Sequence, residues 1–149
     1  MVTSYANSVS TDGSFNLGTS YLGTGFFNGR VSEVILYSKL LNSAQERIVS
    51  NYLAAKYGIT IDAASDNYSY EGTHKNDLAG IGRIDATNSH TKAQSAGILS
   101  VGGANDLENN EFLFFGHDGG SVSSWTSVNV PSADPNIERL ARTWRVDQS

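Results

Sequence analysis

The chain has 149 residues, of which 39% are hydrophobic and 17% charged, and its net charge is −5. This composition suits a folded chain of one ordinary or two small domains, and it excludes a basic strip for nucleic acid. Cysteine is absent, which excludes disulfides, thiolate zinc sites and cysteine nucleophiles.

With 15 Gly, only 2 Pro and many Ser, Thr and Asn, the sequence reads as mainly β with many turns. No apolar run approaches the ~20 residues needed to cross a bilayer, so no membrane insertion is expected. The opening "MVTSYANSVSTDG" has neither a basic start nor an apolar centre and does not read as a signal peptide. Residues 1–28 read as short strands joined by turns. The run "RVSEVILY" (30–37) follows as a stronger strand, with Val31, Glu33, Ile35 and Tyr37 on one face and Ser32, Val34 and Leu36 on the other. Large apolar groups on both faces place it inside a sandwich.

Ser43 followed by Glu46 matches a capping box. Ile48, Val49, Tyr52, Leu53 and Tyr57 then recur at helical spacing, Ala54 and Ala55 favour helix, and Gly58 stands where a left-handed residue ends one. The spacing predicts a helix over 44–57. Residues 62–76 turn polar and read as a connector. Beyond them, apolar runs at 78–84, 97–103, 111–116 and 139–146, separated by Gly and Asn, predict strands.

A complete eight-stranded sandwich needs roughly 80 residues or more. Residues 1–61 are too few, so they read as the C-terminal part of a sandwich with its closing helix. Residues 77–149 read as a second antiparallel β-rich domain, itself incomplete. Both ends are expected to be cut from a longer protein.

The segment "FNGRVSEVILYSKLLNSAQE" (27–46) resembles the closing segment of the laminin-G-like, concanavalin-A-type jelly roll of bacterial secreted proteins. Phe27, Gly29, Glu33, Tyr37, Leu40, Ser43 and Glu46 stand at the matching places. The continuation "YLAAKYGIT" (52–60), with "NDLAGIGR" (76–83), "FLFFGHDGG" (112–120) and "RLARTWRV" (139–146), resembles an uncharacterised β-rich domain of large bacterial surface proteins. The resemblance implies an extracellular or cell-surface location.

Several residues invite a chemical reading. Glu33 lies in a jelly-roll strand, but a retaining glycosidase needs two carboxylates ~5–5.5 Å apart and "SEVILYSK" supplies one. Glu33 is therefore expected to be scaffold. His117 and Asp118 in "HDGG" (117–120) could form a relay or metal site, yet no second His follows at i+4, and Asp-Gly-Gly after a strand is a turn pattern. His74 and His90 lie in polar text and are expected to be solvated.

Asp62, Asp66, Asp77, Asp85, Asp106 and Asp118 offer oxygens for calcium without the spacing of an EF-hand loop. Asp77 and Asp118 are the candidates kept. Gly80 and Gly82 in "LAGIGR" lack the strand–helix context of a nucleotide fingerprint and read instead as sites of bending or close backbone approach. Arg142 shares a face with Leu140, Trp144 and Val146, so its stem should be packed. Trp144 is read as core and Trp125, with His117, as a ligand candidate.

Residues and resemblance together imply a non-catalytic structural or adhesive module of a bacterial cell-surface or secreted multidomain protein. Its expected partners are neighbouring domains of the same chain and a polysaccharide or cell-surface glycan. No cofactor other than calcium is expected. The alternative is a carbohydrate-binding module attached to a polysaccharide-degrading enzyme, and a glycoside hydrolase stands third.

Overall fold

The computed structural model describes residues 17–19, 24–103, 105–130, 134 and 136–149. Among these residues the fold is mainly β with one helix, and its strands pair antiparallel. The chain divides into two compact units, Val2–Leu40 and Leu41–Ser149. This moves the expected boundary. The helix assigned to the first domain packs inside the second unit, and so does much of the connector.

In the unit Val2–Leu40, the strand expected at 30–37 does not form. Val31, Val34, Ile35, Leu36 and Tyr37 are exposed, which also overturns its placement inside a sandwich. A strand is completed by a neighbour's backbone, and among the described residues no strand pairs with this run. The strands expected within residues 1–16 and 20–23 lie outside the described residues.

The second unit opens with helix α1 (Ser43–Tyr57). Its N-cap is Asn42 and not Ser43. Asn42 Oδ1 accepts from the Gln45 N–H at 3.0 Å while Gln45 Oε1 accepts from the Asn42 N–H at 3.0 Å. Asn42 Nδ2 also donates to Ser89 O at 3.0 Å. An amide carries its donor and acceptor on separate atoms, so one side chain caps the helix and ties it to a strand. Gly58 ends the helix in the left-handed region (φ 63°), as expected.

The main sheet has the order β2-β1-β5-β8, from β1 (Asn76–Arg83), β2 (Ser89–His90), β5 (Glu111–His117) and β8 (Trp144–Gln148). A hairpin of β3 (Lys92–Ser95) and β4 (Leu99–Gly102) contacts β1, and β6 (Trp125–Thr126) pairs with β7 (Arg139–Leu140). The run 139–146 is thus two strands, β7 and β8, interrupted at Ala141–Thr143. There Ala141 N–H bonds Ser124 O at 2.9 Å and Arg142 N–H bonds Ser121 O at 3.3 Å.

One face of the sheet meets the helix. Phe112 and Phe114 are fully buried in a cluster with Ala44, Ala55, Tyr68 and Leu78, with Ile48 and Tyr52 packed against it. Burying a Phe side chain contributes roughly 1.5–3 kcal/mol. Room for the rings comes from the neighbouring strand. Phe112 pairs with Gly82 and Phe114 with Gly80. A Cβ at Gly82 would stand 2.1 Å from the Phe112 ring, and one at Gly80 2.7 Å from the Phe114 ring. The Gly-Ile-Gly run is a bed for two aromatic rings.

The connector is part of this core. Asn51, buried in the helix, donates to Ser65 O at 2.8 Å and accepts from the Asn67 N–H at 2.8 Å. That clamp delivers the buried ring of Tyr68, whose hydroxyl donates to His74 O at 2.7 Å.

Candidate functional site

The polar residues of the second unit converge where β1 enters the sheet. The β1–β5 register shifts between Asn76, opposite His117, and Ala79, opposite Phe115, so β1 carries one extra residue there. Asp77 sits in this bulge at φ 45°, a conformation rare for residues with a Cβ but more accessible to Asp than to most.

The bulge aims Asp77 at the end of β5. Asp77 Oδ2 lies 2.8 Å from His117 Nε2, and His117 is only 3% exposed. The Gly119 N–H donates to His117 Nδ1 at 3.0 Å. A backbone N–H can only donate, so Nδ1 holds a lone pair and Nε2 carries the proton given to Asp77. Both ring nitrogens are engaged. A general base needs one free to face its substrate, so His117 as arranged ties the sheet together.

Around the pair, Asn76 Nδ2 donates to His117 O at 3.0 Å, and Ser95 Oγ donates to Asp77 O at 2.8 Å. Trp144 stands edge-on to His117, with centroids 5.8 Å apart, and its indole N–H reaches Ser95 Oγ at 3.4 Å. Trp144 is thus half-buried in a polar network, where the sequence suggested plain core.

Asp118 begins the turn after β5, as "HDGG" suggested. Its Oδ1 accepts from the Gly120 N–H at 2.8 Å and the Thr143 N–H at 3.2 Å, while Oδ2 accepts from Thr143 Oγ1 at 2.7 Å. Burial pushes its carboxyl up, but the bonds from Thr143 and Gly120 and the charge of His74 outweigh it and hold the group at about 2. His74 is not simply solvated, since its Nε2 lies 3.1 Å from Thr143 Oγ1 and its Nδ1 2.9 Å from Thr73 Oγ1. His90 is half-buried in β2.

The two calcium candidates do not form a ligand set. Among the described residues, no group of three or more His, Cys, Asp or Glu is placed to hold a metal. Asp118 moreover has N–H and O–H donors at both oxygens, the opposite of what a cation requires. The two ligand candidates are also apart in character: His117 is sealed in, whereas Trp125 is 60% exposed on β6. Arg142 stacks over Trp144 at 5.8 Å and donates from Nε to Gly120 O at 2.7 Å, which supports the packed-stem expectation.

Depressions lie elsewhere. One of about 350 Å³ is lined by Lys92, Gln94, Ser100 and Val101 on the hairpin, and one of about 220 Å³ by Ala63, Asp66, Tyr68 and Ser69. Beside the second, burial pushes the Glu71 carboxyl up, Asp66 adds to the effect, and Glu71 Oε1 is buried without a hydrogen bond. The Tyr68 hydroxyl is pushed up to about 12 by burial, then by the charge of Asp147. Asn51 and Ser95 escaped the sequence reading, because a buried polar residue inside an amphipathic helix or short hairpin carries no pattern of its own.

The family described as "Domain of unknown function (DUF8202)" matches residues 45–149, from the third residue of α1 to the end of the chain. No curated protein and no solved structure matches.

Proposed function

This chain belongs to the DUF8202 family, whose match runs from the third residue of α1 through the whole main sheet, and we propose, on the grounds that follow, that it is a non-catalytic structural and adhesive module of a secreted or cell-surface bacterial protein. The observation that carries this reading is the state of its buried histidine. His117 is buried with one nitrogen given to Asp77 and the other to a backbone amide. Groups that could do chemistry serve instead to join β1, β5 and the turn at 118–120. The location and the role beside neighbouring domains rest on the likeness in sequence alone of residues 27–46 to the end of a secreted jelly roll, since the strand expected there does not form.

Three measurements test it. Purified chain incubated with bacterial and plant polysaccharides is expected to release no reducing sugar, and His117→Gln is expected to lower the melting temperature. Turnover that vanishes in His117→Gln or Glu33→Gln would overturn the proposal. Fractionation of the producing cells, with an antibody to this chain, is expected to find it outside the cytoplasm.

A second reading, carbohydrate binding, rests on Trp125, whose exposed ring could stack on a sugar. Affinity electrophoresis through immobilised glycans, comparing the chain with Trp125→Ala, separates the two. Retardation lost in the variant would favour the sugar module.

A further inference from the structure

Among the described residues β8 is the outermost strand of the main sheet, and its outer edge has a definite pattern. Phe112 and Ser149 exchange both backbone bonds, at 2.9 and 3.0 Å, and the Asp118 N–H bonds Thr143 O at 3.1 Å. With the register Phe114 to Asp147 and Gly116 to Arg145, antiparallel alternation turns the backbone groups of Thr143, Arg145, Asp147 and Ser149 toward β5. Those of Trp144, Val146 and Gln148 point outward. No hydrogen bond joins these outward groups to another described residue. The side chain of Val146 at the middle of this edge is 52% exposed.

From this edge we propose that two copies of the chain pair through β8, antiparallel, about a two-fold axis at Val146. The pattern selects that register. Outward groups must face outward groups, so Trp144, Val146 and Gln148 can be matched only with one another. Centring on Val146 sets Val146 against its copy, Trp144 against Gln148, and Arg145 against Asp147. The last pair falls at the close, non-hydrogen-bonded position, and symmetry supplies it twice.

Sliding by two residues in one direction sets Asp147 against Asp147, and in the other Arg145 against Arg145. Like charges directly opposite disfavour both. The charged side chains are already held on one face of β8: the Arg145 guanidinium lies 5.7 Å from the Tyr70 ring centroid, and Asp147 Oδ2 accepts from the Ser69 N–H at 2.6 Å. The result is one sheet continuous through both copies. It involves neither His117 nor Trp125 and stands apart from any adhesive role.

Sedimentation equilibrium of the 149-residue chain over a range of concentrations tests this. The mass is expected to rise toward twice that of the single chain. Val146→Pro removes an outward N–H while leaving the bonds to β5, which come from the flanking residues, and should leave a monomer with little change in melting. If that variant fails to fold, Val146→Lys gives the same readout. Arg145→Asp should weaken association by about tenfold or more, and the double exchange Arg145→Asp with Asp147→Arg should recover it.

Asp147→Asn, which still accepts from Ser69, should weaken pairing without unfolding the loop. A wild-type chain that stays monomeric overturns the proposal, as does a dimer indifferent to Val146→Pro. A folded double exchange that fails to regain what the single one lost overturns the register.

Discussion

Two stretches of this chain, "RVSEVILY" at 30–37 and "EFLFFGH" at 111–117, share an apolar, β-favouring character and take different forms. The second is the central strand β5, bonded on both sides, with Phe112, Phe114 and Phe115 fully buried. The first has no strand partner among the described residues, and its apolar side chains are exposed. The difference teaches that a strand is a property of a pair. β-propensity measures fit to a pleated, half-buried surface, and it contributes little where no such surface is supplied.

The widest contrast should come from truncating each stretch. Phe114→Ala is expected to cost about 4 kcal/mol in urea denaturation, because it opens a cavity under α1. Ile35→Ala should stay within about 0.5 kcal/mol. Comparable losses from the two would erase the distinction drawn here.

A smaller effect tests the partner rather than the strand. Gly82→Ala pushes a methyl group into the Phe112 ring, and overpacking of this kind costs about 1–3 kcal/mol. Melting the variant alone and with Phe112→Leu tells whether the ring is the obstacle, since the smaller side chain should recover part of the loss.

The start of the second unit can be sharpened at the helix cap. Asn42→Ala should cost about 1 kcal/mol, with Ser43→Ala close to silent. Chemical denaturation of both variants decides which residue caps α1.

The mildest prediction concerns the turns at either end of the β1–β5 pair. Asp85 is held at about 2 by its bonds from Thr87 and Asn88, and Asp118 reaches about 2 against a desolvation that pushes it up. Both carboxyls ionise more readily in the folded chain than at their ordinary 3.8. Their stabilisation is therefore complete above about pH 4 and is lost as pH falls toward 2. Asp118 is exposed and Asp85 only half-buried, so solvent screening keeps the effect small. Thermal melts between pH 5 and pH 2 should show a shallower decline for Asp118→Asn than for the unmodified chain.

Local signals made part of this fold legible. The periodicity of 44–57 and its stop at Gly58 gave α1, and runs such as "EFLFFG" gave strands, because each depends on neighbours in sequence. The cap was misplaced by one residue, since Ser43 and Asn42 both suit the position and only the distant Ser89 carbonyl favours the amide. The connector looked polar because the burial of Tyr68 is arranged by Asn51, far away on the helix. "HDGG" announced a turn correctly, but nothing adjacent to His117 announces Asp77, which arrives from another strand through a bulge.

That bulge has an arithmetic of its own. Asn76 and Ala79 lie opposite His117 and Phe115, which are two residues apart on β5. Striking Asp77 out of the strand would leave Leu78 opposite Gly116 and every later side chain on its present side. The ladder keeps its phase without that residue. Asp77 is a supernumerary position, carried by the strand at an unfavourable backbone angle while the sheet itself has no use for it. A deletion there should spare the register and cost only the tether to His117 and Ser95.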